Sequence, residues 1–138
     1  MDTSAWSLAV RRRPGAVLSS ADQAVRAEVI ALIPLRTAAL IGPVRQELLS
    51  GISDTARFNR LRDVLAGVPD EPCSVEDFEL AAEFANTCRR FGIQGSGVDF
   101  LTCAVAARRT LPILASDRDF AAYARHVPIR LHRLTPQA

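Results

Sequence analysis

From Val98 to about Arg109 the chain is apolar on almost every side of a helical wheel: Phe100, Leu101, Cys103, Ala104, Val105, Ala106 and Ala107 leave little face for water. A helix of that kind must be covered all round, so it belongs in the middle of a fold whose other elements wrap it. Ser96 and Asp99 stand at the capping-box spacing that opens it. The wrapping elements are punctuated in the same way. Ser20 with Gln23 predicts a helix to about Ile33, with Val25, Val29, Leu32 and Ile33 on one face and Pro34 as its stop. Gly42-Pro43 and Gly51 bracket a short helix, Asp54 caps one with Phe58, Leu61 and Leu65 inward, and Ser74 with Asp77 opens a longer one. In that last helix Phe78, Ala81, Ala85 and Cys88 recur at helical spacing before Gly92.

Between these helices lie short apolar runs that read as strands: Ala38 to Ile41, Leu111 to Ala115 and Val127 to Leu131, with a short helix from Asp119 to Arg125. Strands alternating with helices predict an α/β fold, a short central parallel sheet flanked by helices on both faces, here as one domain over residues 1–138. Ligands of such sheets gather outside the carboxyl ends of the strands. The apolar share of 49% and charged share of 23% are those of a soluble globular protein. No apolar run is long enough to span a bilayer, and Arg11-Arg12-Arg13 runs into Pro14-Gly15 rather than a signal-peptide core, so a cytoplasmic location is expected. Cys73, Cys88 and Cys103 are odd in number and sit among apolar neighbours, which suits core thiols in a reducing compartment.

Four carboxylates interrupt apolar surroundings: Asp2, Glu47, Asp99 and Asp117. An ionised carboxylate taken out of water needs a positive partner, and a cluster of oxygen ligands suits a hard divalent cation. Each also has a plainer reading: Asp2 as a frayed terminal residue, Glu47 as a half-exposed helix residue, Asp99 as a capping-box acid, and Asp117 or Asp119 as a cap for the helix that follows. All 17 basic residues are arginine. Without lysine there is no Walker A phosphate loop, no Schiff-base chemistry and no lysine-assisted phospho-aspartate chemistry, whereas arginine grips phosphate bidentately. Arg11, Arg12, Arg13 and Arg118 are the candidates for drawing in a polyanion, against a solvated charge run as the alternative for the first three. Trp6 reads as core rather than as a base-stacking platform, and His126 and His132 carry no assignment.

Asp2-Thr3-Ser4-Ala5-Trp6, the apolar-flanked Glu47, Gly97-Val98-Asp99-Phe100-Leu101-Thr102-Cys103-Ala104-Val105-Ala106 and Ser116-Asp117-Arg118-Asp119-Phe120 follow one another in the order and spacing of a PIN domain. The set resembles a VapC-type toxin of a toxin–antitoxin pair over nearly the whole chain. The resemblance implies a metal-dependent endoribonuclease acting on tRNA or other structured RNA. Asp2, Glu47, Asp99 and Asp117 would be catalytic and hold one or two Mg2+ or Mn2+ ions, with Asp119 as an extra metal residue and Ser4 and Ser116 in support. It further implies a VapB-like antitoxin, a homodimer, and products with a 5'-phosphate and a 3'-hydroxyl. Two carboxylates about 4 Å apart repel by roughly 4 kcal/mol at an effective dielectric near 20, which a divalent cation would relieve. Two departures stand out: only Met1 precedes Asp2 where the family has a hydrophobic first strand, and Ala115 takes the place of the usual threonine before Asp117. The alternatives are a catalytically silent PIN-like module that binds RNA or antitoxin, and a PIN nuclease of RNA maturation.

Overall fold

The structure is a computed structural model and describes residues 1–11 and 15–136. Its elements, in chain order, are α1 (Thr3–Val10), α2 (Ser20–Leu32), β1 (Leu40–Ile41), α3 (Gly42–Leu49), α4 (Thr55–Ala66), β2 (Asp70–Glu71), α5 (Val75–Arg90), α6 (Gly97–Arg108), β3 (Pro112–Ile113), α7 (Asp119–Tyr123) and β4 (Arg130–Leu131). Helix α6 is the central rod that its composition requires, with every residue from Phe100 to Ala106 buried. Helix α5 lies along it, while α1 packs on α2 and α3.

The strands are parallel, as expected, yet they form two separate pairs. Leu40 faces Asp70 and Ile41 faces Glu71 in one pair; Pro112 faces Arg130 and Ile113 faces Leu131 in the other. What joins the pairs is the first peptide of the chain. The Met1 ammonium donates to the Ala39 carbonyl at 2.7 Å, and the Asp2 N–H donates to the Leu114 carbonyl at 3.0 Å. Consecutive residues that bond to opposite sides behave as an interior strand. Met1 and Asp2 are therefore a two-residue stub, and the spatial order is β2, β1, stub, β3, β4. Burial lowers the Met1 amine to about 6, the nearby Asp2 charge working against that shift.

Strand pairing is shorter than each apolar run suggested, and β2 carries no apolar signal at all. That edge strand is held by charge instead: Asp70 accepts from Arg45 at 2.9 Å and Glu71 pairs with Arg109 at 3.1 Å. Two helix expectations also need correction. The cap of α2 is Ser19, whose Oγ accepts from the Asp22 N–H at 3.1 Å, one residue before Ser20. The inward face of α5 is Asp77, Ala81, Phe84 and Cys88, leaving Phe78 55% exposed. A carboxylate replaces the aromatic there because α6 answers it: Asp77 lies 2.7 Å from Arg108 and 3.1 Å from Arg109, and also accepts from the Ser74 N–H at 2.8 Å. The hydrogen bond from Arg109, ahead of those from Ser74 and Arg108, holds its pKa far below the ordinary carboxylate range despite burial.

Trp6 is fully buried, in keeping with its reading as core. All three cysteines are free thiols; Cys88 and Cys103 are buried and Cys73 is only half-buried. Among the described residues no helix is long and apolar enough to cross a membrane.

The C-terminal segment is tied down by one buried acid. Glu28 on α2 sits 2.7 Å from His132 Nε2 and accepts from the Thr135 N–H and hydroxyl, each at 3.2 Å. The His132 hydrogen bond, reinforced by Thr135, keeps the Glu28 pKa below its usual value although burial pushes the other way. A carboxyl depressed on folding stabilises the fold above its unfolded pKa, and that contribution is lost as pH falls through the folded value. Between about pH 5 and pH 3 the wild type is therefore expected to lose roughly 3 °C more in Tm than Glu28→Gln, measured by circular dichroism at matched ionic strength.

Candidate active site

Asp2 is the N-cap of α1, with φ −82° and ψ 161°. Its Oδ2 accepts from the Ser4 N–H at 2.8 Å. Its Oδ1 is buried and has no hydrogen-bond partner among the described residues. With the residue only 3% exposed, this is no frayed terminus. Burial raises the Asp2 pKa, hydrogen bonds from Ser4 and Thr3 oppose the rise, and the negative charge of Asp99 adds to it.

Asp99 enters from the first turn of α6. The capping box forms as its spacing predicts: the Asp99 N–H donates to Ser96 Oγ at 3.0 Å, and Asp99 Oδ2 accepts from the Ser96 N–H at 3.1 Å. The cap is only part of its role. Tyr123, the one tyrosine in the chain and fully buried, donates its hydroxyl to the same Oδ2 at 3.1 Å. Burial first and the Asp99 charge second push that hydroxyl's pKa well up, so it stays a donor. The contact needs Gly95, because a Cβ there would run into the Tyr123 hydroxyl.

Glu47 is half-buried on α3 and takes a 2.6 Å hydrogen bond from the Thr3 hydroxyl to Oε2. Thr3→Val keeps the shape and removes that donor. The variant is expected to lose about 1 kcal/mol in urea unfolding. Equal stability of the two proteins would show that the Thr3–Glu47 bond holds nothing in place. Asp117 is exposed and comes in through backbone: the Ser116 and Asp117 N–H groups donate to Ser4 Oγ at 3.0 and 3.2 Å. Ser4 thus anchors the last loop as an acceptor, and Ser116 contributes its amide. Asp117 Oδ1 accepts from the Asp119 N–H at 2.9 Å, an Asx turn that leads into α7 one residue before its N-cap Arg118, while Asp119 is exposed in the first turn of that helix.

Asp2, Thr3 and Ser4 form a hub. Asp2 feels Asp99, Thr3 holds Glu47, and Ser4 holds the loop of Asp117. Thr3 and Tyr123 escaped sequence reading because a threonine and a lone tyrosine carry no charge pattern. Among the arginines, Arg118 is exposed at the N-cap of α7. Arg11 is engaged elsewhere, donating to the Glu47 and Ser50 carbonyls at 3.4 and 3.3 Å at the end of α3. Arg12 and Arg13 lie outside the described residues.

Among the described residues, no group of three or more histidine, cysteine, aspartate or glutamate side chains is placed to hold a metal ion. Glu47, Asp99 and Asp117 each give an oxygen to a nearby donor instead. Asp2 Oδ1 is the exception, a buried carboxyl oxygen with no partner among the described residues and in the field of Asp99. Mg2+ keeps most of its water and takes one or two carboxylates, so this donor set fits a hard, largely hydrated cation better than it fits a closed protein cage.

The PIN-domain family model matches residues 1–126. The chain belongs to the PIN-domain family. No curated protein matches it. PIN domains are generally metal-dependent nucleases, and they are α/β proteins with short parallel strands, which agrees with the fold and with the acidic hub.

Proposed function

We propose that this PIN domain is an endoribonuclease dependent on Mg2+ or Mn2+, and that it serves as the toxin of a type II toxin–antitoxin pair. The observation that carries the nuclease reading is the partnerless buried Oδ1 of Asp2 beside the charge of Asp99. Asp2 and Asp99 would hold the cation, and Glu47, Asp117 and Asp119 would meet its water shell. When bound, the ion supplies Lewis acidity toward a phosphate oxygen and toward the attacking water. The chain's own residues do the rest. Asp117, exposed and half-committed to the Asp119 amide, is the acceptor for the water's proton. Arg118 beside it offsets the negative rim and meets the RNA backbone, since an anionic pocket alone repels RNA. The toxin role, a VapB-like antitoxin, a homodimer and a structured substrate such as tRNA rest on the family resemblance of the four motifs.

One observation favours a second reading, a silent PIN-like module: among the described residues, no three acids stand ready for a metal. Labelled tRNA incubated with the protein and Mg2+, then with EDTA, separates the two. Cleavage that EDTA stops and that leaves 5'-phosphate ends supports the nuclease. Intact RNA at every Mg2+ and Mn2+ concentration, with RNA still bound, supports the silent module.

A further inference from the structure

The end of α5 and the end of α7 meet in a stack of two rings. Phe91 and His126 lie with ring centroids 4.1 Å apart and planes 17° from parallel. Each ring is fixed from its own backbone. Phe91 is the C-cap of α5, where the Gly92 N–H donates to the Arg89 carbonyl and the Ile93 N–H to the Cys88 carbonyl, each at 3.0 Å, the paired bonds of a Schellman motif. The His126 N–H donates to the Tyr123 carbonyl at 2.9 Å. His126 covers one face of Phe91, and since Phe91 is 62% exposed the other face meets water. A lone surface aromatic needs no explanation, but a ring held flat by a second ring is a preformed stacking surface.

Cations surround this corner. Arg89, Arg90 and Arg125 are exposed, and among the described residues none of them is in an ion pair. No acid stands between Glu83 and Asp99 in the chain, or anywhere after Asp119. Arg89 also lines, with Ile93, Gln94 and Gly95, a cavity of about 190 Å³. The corner is tied to the acidic hub through one side chain: the Tyr123 hydroxyl that donates to Asp99 Oδ2 also lies 3.4 Å from the Gln94 carbonyl, in the loop that Phe91 opens.

We propose that the outer face of Phe91 seats an unpaired RNA base, a few nucleotides from the phosphate at the acidic hub, with Arg89, Arg90 and Arg125 on the backbone phosphates around it. The inference deepens the nuclease reading and rests on it for the polymer being RNA. Every base has a flat face, so stacking on an aromatic ring needs no sequence match. Bases inside a duplex have both faces covered, so the ring selects a loop or an end. Three arginines with no acid among them favour a polyanion over an apolar protein surface.

The test is binding of a short single-stranded RNA that carries one 2-aminopurine, in EDTA so that metal-dependent cleavage is blocked. Wild type is expected to bind at least about tenfold tighter than Phe91→Leu, which keeps an apolar side chain and loses the flat ring, while Phe91→Trp binds at least as tightly as wild type. The 2-aminopurine is expected to dim on the wild type and to stay bright on Phe91→Leu. An oligomer of the same length without bases is expected to bind both proteins equally weakly. Equal affinity of wild type and Phe91→Leu for the base-bearing RNA overturns the proposal, as does a loss that the baseless oligomer shares. Unchanged RNA affinity with weaker self-association of Phe91→Leu in sedimentation also overturns it, and assigns the ring to a second copy of this chain. Cleavage of tRNA with Mg2+ is read separately, so a protein that binds as expected and never cuts keeps this base seat and loses the nuclease reading.

Discussion

Asp2→Asn is expected to give a protein more stable than the wild type when no divalent cation is present, and at least about a thousandfold slower at cleaving RNA. The gain follows from the raised pKa of Asp2. A carboxyl whose pKa rises on folding costs stability when charged, and that cost sets in as pH climbs through the folded value. Asparagine carries no such charge yet keeps the cap, since its side-chain oxygen accepts from the Ser4 N–H as Oδ2 does. At neutral pH the advantage is expected to be about 1 kcal/mol in urea unfolding. It vanishes below about pH 3.9, where Asp2 is protonated in folded and unfolded chains alike. Added Mn2+ is expected to reverse the order, raising the wild-type Tm and leaving the variant unmoved. A variant less stable than the wild type at pH 7 without metal would show that Asp2 is a structural acid.

Asp77→Ala carries the largest expected loss of stability. The carboxylate is fully buried on α5 against Arg108 at the end of α6 and Arg109, the C-cap of that helix, and it also closes the capping box on the Ser74 N–H. Removing one partner of such a network strands the others, at a cost of about 3 to 5 kcal/mol. Arg108 and Arg109 keep 39% and 25% of their side chains exposed and can turn to water, which places the expectation near about 3 kcal/mol. Urea unfolding followed by circular dichroism reads it directly. Cleavage per folded molecule stays unchanged, since Asp77 is anchored at the opposite end of α6 from Asp99. A loss under about 1 kcal/mol would mean that the cluster is cosmetic.

What was legible in the sequence was what local chemistry decides. The capping boxes Ser96–Asp99 and Ser74–Asp77, the Gly42-Pro43 helix start, and the all-round apolar face of α6 need no tertiary knowledge, and each formed as its spacing required. Illegible features were those that a distant partner decides. Asp77 took the inward position of Phe78 because Arg108 and Arg109 arrive from another helix. Strand β2 is polar because β1 and arginines hold it, with no apolar pattern to announce it. In the site, four acids stood out in the sequence, but the way they are tied together did not. Thr3 and Ser4 do that work through hydroxyls that look unremarkable beside a terminal aspartate, and Tyr123 reaches Asp99 only because Gly95 leaves room. The split of the sheet was likewise hidden, since it turns on two hydrogen bonds made by Met1 and Asp2 in opposite directions.

The proposed nuclease chemistry requires Asp2 and Asp99 to act together as the seat of a divalent cation. Titrating Mn2+ into metal-free protein, and following free Mn2+ by electron paramagnetic resonance, tests this without any RNA. The wild type is expected to take up the ion, with affinity at least about tenfold weaker in both Asp2→Asn and Asp99→Asn. Equal uptake by all three proteins, or none by the wild type, would contradict it.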